Sequence, residues 1–298
     1  MSAALDGVLV CDKPAGMTSH DVVARVRRLV GQRRVGHGGT LDPPATGVLV
    51  IALGRATRLL PFLPMEPKRY LATIAFGAET DTLDAAGRVT ATAPVDGIDR
   101  SAVESALARF IGPQQQVPPM VSAVKQGGER LYLKARRGET VERVPRLITV
   151  HALELLDFQS GAAAPCATIA VTCSGGTYVR VLAADLGRAL GSLAHLASLR
   201  RAAVGAFTEA EAHGLAELEA KASTGADALQ TLVIDPAAAM RSTSVRALSQ
   251  LEAAALATGQ SLEPTGLGEP VAAVGPDGRL VAVIQDGAGR ARPRVVLG

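Results

Sequence analysis

Tryptophan is absent from this chain of 298 residues, and phenylalanine and tyrosine number only five and three. Any function that needs aromatic stacking therefore draws on a few identifiable side chains, and each tyrosine is worth placing. The three cysteines, at 11, 166 and 173, have no paired spacing, which argues against a disulfide framework and against a cysteine zinc site. No apolar window approaches the length of a membrane span. The apolar patch before Asp12 and Lys13 is too short for a secretory signal, so the chain reads as cytoplasmic with no membrane partner. The formal net charge of +3 is too small to imply a nucleic-acid partner by itself, and the clustering of charge is the better guide. No internal repeat or low-complexity tract is present. With 48% apolar residues the chain can bury a substantial core, enough for one large domain and a small one.

Chemistry concentrates in Gly36-His37-Gly38-Gly39-Thr40-Leu41-Asp42-Pro43-Pro44-Ala45-Thr46-Gly47-Val48-Leu49. Three glycines before Asp42 let the backbone turn and approach a ligand closely, while two prolines fix φ directly after it. The run Val48 to Leu53 is unbroken and apolar with β-branched residues, which predicts a central strand buried on both faces. Asp42 is thereby placed beside the core. Alone, an Asp before Pro among glycines is a turn former. Taken together, the fourteen residues resemble, nearly position for position, the signature loop of the TruB family of tRNA pseudouridine synthases. That resemblance implies that Asp42 is the catalytic nucleophile and that His37 occupies the space vacated by a flipped-out base.

Other stretches carry the same resemblance. Asp12-Lys13-Pro14-Ala15-Gly16 is similar to the family's N-terminal motif, which places Lys13 among the RNA-binding residues. Lys68-Arg69-Tyr70 opens a strand of period two and looks like the element whose tyrosine stacks on the target uracil, a role the resemblance gives to Tyr70. Cys173-Ser174-Gly175-Gly176-Thr177-Tyr178-Val179-Arg180 resembles the motif whose arginine pairs with the nucleophile, so Arg180 is expected to pair with Asp42 and Tyr178 to touch substrate. Leu199-Arg200-Arg201 resembles a third motif, in which the leucine, here Leu199, contacts the uracil. Residues about 118–146 resemble an RNA-clasping insertion, and their basic side chains, Lys125, Lys134, Arg136 and Arg137 among them, are expected on phosphates. Five arginines between Arg25 and Arg34 are expected there too. Thr80 to Gly87 reads as a hydrogen-bonded turn.

Local signals predict helix starts at Ser19, at a Ser101–Glu104 capping box and at Thr177. Near the end, Val245 to Leu256 reads as one helix, followed by short strands flanking Gly275-Pro276-Asp277-Gly278. The expected fold class is α+β: a pseudouridine synthase fold with a large mixed, mainly antiparallel sheet and flanking helices over residues 1–240, then a small PUA-like β-barrel module over 241–298. The resemblance implies isomerisation of uridine at position 55 in the T loop of tRNAs by a monomer. It implies no cofactor and no metal, since neither redox nor phosphoryl transfer is involved. A tRNA-binding or tRNA-folding protein without catalysis is the alternative, disfavoured because an anion at Asp42 repels phosphates. A carboxylate glycosidase would want a second acid beside Asp42, and the loop holds none.

Overall fold

The computed structural model describes residues 4–120, 125–126, 129–130, 137, 139, 141–161 and 164–297. The chain forms two compact units, one made of residues 1–65 with 203–298 and the other of 66–202. The architecture is α+β, with a mixed, mainly antiparallel sheet, as expected. No helix among the described residues is long and apolar enough to cross a membrane.

The first unit is built around the strand Thr46–Leu53. Gly7–Lys13 pairs with it in antiparallel register from Gly7 opposite Leu53 to Lys13 opposite Gly47. Val35–Gly38 pairs with the same strand, from Val35 opposite Leu53 to Gly38 opposite Val50. All residues from Val48 to Leu53 are inaccessible to solvent. Alternation sends Val48, Val50 and Ala52 into one apolar cluster and Leu49, Ile51 and Leu53 into another, as expected for a strand covered on both faces. The second cluster receives Val22, Val23 and Val26 from the helix Ser19–Leu29. That helix is capped by Thr18, not Ser19: Thr18 and Asp21 form a reciprocal capping box. The Ser19 hydroxyl is drawn instead into a buried contact with Leu41.

The C-terminal residues of this unit form a four-stranded sheet in the order Val245–Ala247, Val271–Val274, Leu280–Gly287, Arg290–Val296. The single helix expected from Val245 is corrected here, because Val245–Ala247 pairs in parallel with Ala272 to Val274. The helix, Gln250–Ala257, waits for its own capping box at Ser249 and Glu252. Ala272, Leu280, Val283, Val295 and Leu297 share one apolar cluster with Val48 and Val50. Hence the sheet at 271–297 and the loop-bearing strand draw on one core.

In the second unit the strand Lys68–Phe76 pairs with Cys166–Cys173, which pairs with Arg146–Gln159 and so with Gly112–Gln116. Tyr70, Ala72, Ile74 and Phe76 are buried while Leu71, Thr73 and Ala75 are more exposed, the predicted period of two. The helix Arg100–Ala108 is capped by Asp99, whose carboxylate accepts from Ala102 N–H at 2.8 Å, in place of the expected Ser101. The segment Thr80–Gly87 is a hydrogen-bonded turn: Thr80 donates to the Asp84 carbonyl at 2.7 Å, and the Asp84 carboxylate accepts from Thr82 at 2.6 Å and from Ala86 N–H at 3.0 Å.

Glu252 supplies a pH test of the C-terminal sheet. Its pKa is lowered from 4.5 to about 2 by the Ser249 N–H first, then by Arg246 and the Ser249 hydroxyl. A depressed folded-state value stabilises above the unfolded value and ceases to do so as pH falls through the folded one. Glu252→Gln is therefore expected to lower the urea midpoint at pH 7, and the gap to wild type should close between about pH 4.5 and about pH 2.

Candidate active site

In the first unit the loop around Asp42 is pinned from inside. Lys13 ends its strand wholly buried, and its ammonium donates to the carbonyls of Met17 at 2.6 Å, Pro14 at 2.8 Å and Pro43 at 3.1 Å. Gly16 N–H adds a bond to the Pro43 carbonyl at 2.9 Å. The Ser19 hydroxyl is bracketed by Leu41, accepting from its N–H at 2.9 Å and donating to its carbonyl at 3.2 Å. Ala45 N–H closes onto the Asp42 carbonyl at 3.1 Å. Leu41 and Ala45 are buried and Asp42 between them is half-buried. The backbone of the carboxylate is thus fixed on both sides while its side chain keeps partial access to solvent. Lys13, expected on RNA, is placed by this geometry inside the protein, where its charge braces the loop.

The glycines of the loop do different work. Gly39 has φ of 84°, which favours a residue without Cβ, whereas a Cβ at Gly38 would come within 2.5 Å of the Met65 side chain. The close approach at Gly38 is to the protein's own side chain. His37, half-buried on its strand, packs edge-on against His20 with ring centroids 5.1 Å apart.

The second unit carries Tyr70, Tyr178, Arg180 and Leu199. Tyr70 is 8% exposed on the strand Lys68–Phe76. Tyr178, not Thr177, is the N-terminal boundary of the helix Val179–Ala189, and its own side chain makes no capping bond. Gln116 instead holds the backbone of Tyr178 itself from another strand: its side-chain oxygen accepts from Tyr178 N–H at 2.8 Å and its amide donates to the Tyr178 carbonyl at 3.1 Å. Thr177 turns the other way and donates to the Ser174 carbonyl. Arg180, in the first helical turn, is buried at 3% exposure. Its guanidinium donates to the Thr82 carbonyl at 3.3 Å and lies 5.7 Å from the centre of the Tyr178 ring. The turn at Thr80–Gly87 thus supplies this arginine with an acceptor. Leu199 is half-buried on the strand Ala194–Val204.

Family models match nearly the whole chain. One described as TruB family pseudouridylate synthase (N terminal domain) matches residues 27–179, tRNA pseudouridylate synthase B C-terminal domain matches 180–240, and tRNA Pseudouridine synthase II, C terminal, matches 244–298. The chain belongs to the TruB family. Proteins named tRNA pseudouridine synthase B are similar over their length: that of Thermobifida fusca (strain YX) is 47% identical over 295 residues, 98% of each chain. That of Mycobacterium tuberculosis (strain ATCC 25618 / H37Rv) is 43% identical, covering 100% of this chain and 97% of its own. The fold is that of the solved Cbf5-Nop10-Gar1 complex, with a TM-score of 0.76 at 24% identity over 98% of this chain and 85% of the other.

The basic residues of this TruB-family chain are placed unevenly. Lys134 and Arg136 lie outside the described residues, as does the side chain of Lys125. Arg137 is about half exposed and pairs with Glu139 at 2.6 Å. Arg25 pairs with Glu219 at 2.6 Å, and Arg27 donates to the Arg33 and Val35 carbonyls. Sequence reasoning missed Gln116, whose partner is 62 positions away, and Glu66, which accepts from Gly175 N–H at 2.9 Å and so shapes the glycine turn before Arg180. Only the absence of a good capping residue at 178 hinted at the first.

Gln116→Ala would leave both backbone groups of Tyr178 without their side-chain partner. A loss of about 1–3 kcal/mol in urea-monitored stability is expected. Activity should fall beyond what the lost stability explains, because the same residue sets the entry of the Arg180 helix.

Proposed function

We propose that this chain isomerises uridine to pseudouridine at position 55 in the T loop of tRNAs, with Asp42 as the nucleophile. The observation that carries the reading is the half-buried Asp42 carboxylate between two anchored neighbours, in a loop matching the family signature. Full-length relatives named tRNA pseudouridine synthase B support the tRNA substrate. A uridine in a folded T loop hides its glycosidic bond, so the nucleotide must be flipped out at a cost of a few kcal/mol. His37 fills the vacated space. Asp42 attacks either C1′ of the sugar or C6 of the base. The N1–C1′ bond breaks, the uracil turns, a C5–C1′ bond forms, the C5 proton leaves and N1 gains one. Tyr70 holds the ring and assists removal of the proton. Leu199 and Tyr178 line the base, and Arg180 pairs with Asp42 to keep it ionised where desolvation would raise its pKa. The residues 241–298, as a PUA-like module, and the clasp bind RNA backbone.

Asp42→Asn is expected to abolish tritium release from C5-labelled, unmodified tRNA transcripts while tRNA affinity stays near wild type. Release at the wild-type rate would refute the mechanism, and tight binding without release by the wild-type protein would favour the non-catalytic alternative. Arg180→Lys keeps the charge but loses the planar fork, so it should retain more activity than Arg180→Ala and less than wild type.

Neutralising Lys134, Arg136 and Arg137 together tests the clasp. For every phosphate that these side chains engage, the slope of log affinity against log salt should become shallower by about 0.7 to 0.9. An unchanged slope in filter binding would assign these side chains to solvent.

A further inference from the structure

Arg201 has the largest wholly buried side chain among the described residues. It lies on the strand Ala194–Val204, two residues beyond Leu199, and that strand neighbours Lys68–Phe76, which carries Tyr70. The guanidinium hydrogen-bonds the Tyr70 phenol. Burial pushes its pKa down, while the hydrogen bond to Tyr70 acts to hold it up, and a guanidinium stays charged at any working pH. Lys68, two residues before Tyr70 and half-buried, is also depressed, by burial first and then by the charge of Arg201, with Glu66 acting the other way. Arg201 therefore faces a phenol and also acts on a second cation.

Core stability does not explain this arrangement. Buried charges are often replaced by apolar groups of similar size without loss, and like charges side by side destabilise further. A phenol oxygen that accepts from a fixed guanidinium, by contrast, has its ring plane and its lone-pair direction set before substrate arrives. We propose that Arg201 is a positioning residue for Tyr70, fixing the ring plane against the target base and holding the phenol oxygen as an acceptor. This rests on the reading of Tyr70 as the group that holds the uracil.

The test uses the full chain and C5-tritiated tRNA transcript under single turnover, with Arg201→Met, Arg201→Lys, Tyr70→Phe and the Tyr70→Phe/Arg201→Met double variant. Arg201→Met should slow release on the order of a hundredfold while the dissociation constant for tRNA changes by less than about threefold. Arg201→Lys should recover part of the rate, since it keeps a charged donor without the fork. In the Tyr70→Phe background the loss of Arg201 should cost little more, because the two act through one bond. Full additivity, or an unchanged rate in Arg201→Met, would overturn the proposal. Should Arg201→Met not fold, the carbon-13 Cζ signals of the three tyrosines decide the matter in Arg201→Lys: only that of Tyr70 should move, and an unmoved Tyr70 signal would overturn the proposal. Asp42→Asn is run alongside. Tritium release by Asp42→Asn refutes the isomerase reading, whereas an inactive Asp42→Asn with a fully active Arg201→Met refutes only the role of Arg201.

Discussion

The buried ammonium of Lys13 is the constraint on which the Asp42 loop depends. Removing a lysine charge from water costs several kcal/mol, and the cost is met only when all its donors find good acceptors. Here they find the carbonyls of Pro14, Met17 and Pro43, two from the turn after the first strand and one from the far side of the Asp42 loop. Prolines suit this role, since a residue without an N–H still offers a carbonyl. The same three bonds that neutralise the desolvation of Lys13 thus tie the entry of the Ser19–Leu29 helix to the residue after Asp42. Ser19 adds a second tie on the other side, through Leu41.

A comparable economy governs Arg180. A cation in the first turn of a helix faces the positive end of the backbone dipole, which makes its burial there unfavourable unless other groups compensate. The carbonyl of Thr82 and the face of Tyr178 contribute to that compensation, and both belong to segments held by hydrogen bonds of their own. The Thr80–Gly87 turn is laced internally by Asp84, and Tyr178 is held at both backbone groups by Gln116. The polar framework around the candidate residues is larger than the set of residues that would touch substrate.

How much of this is legible in the sequence depends on range. The strand Val48–Leu53 can be read because an unbroken apolar run leaves few other choices, and Tyr70 can be placed because strand alternation is local. The helix caps cannot be chosen the same way: Thr18 and Ser19 are chemically equivalent, and what distinguishes them is Leu41, 22 positions beyond Ser19. Likewise Asp99 caps a helix start where Ser101 would do by local rules alone, and Gln116 grips Tyr178 from 62 positions away. Lys13 is placed among the RNA-binding residues by motif resemblance, and nothing in its neighbours announces three converging carbonyls. Motif resemblance names the candidate residues, while the residues that hold them have no signature of their own.

The shared core of Val48 and Val50 with Val283, Val295 and Leu297 bears on how the protein is made. As the chain emerges from the ribosome, residues 66–202 can meet most of their partners within one contiguous stretch. The strand that follows Asp42 emerges long before, yet the apolar face it shares with the last strand stays unfilled until residues near 297 are free of the exit tunnel. The support of the Asp42 loop is thus completed only by residues made much later than the loop itself, and an apolar surface stays open in the interval.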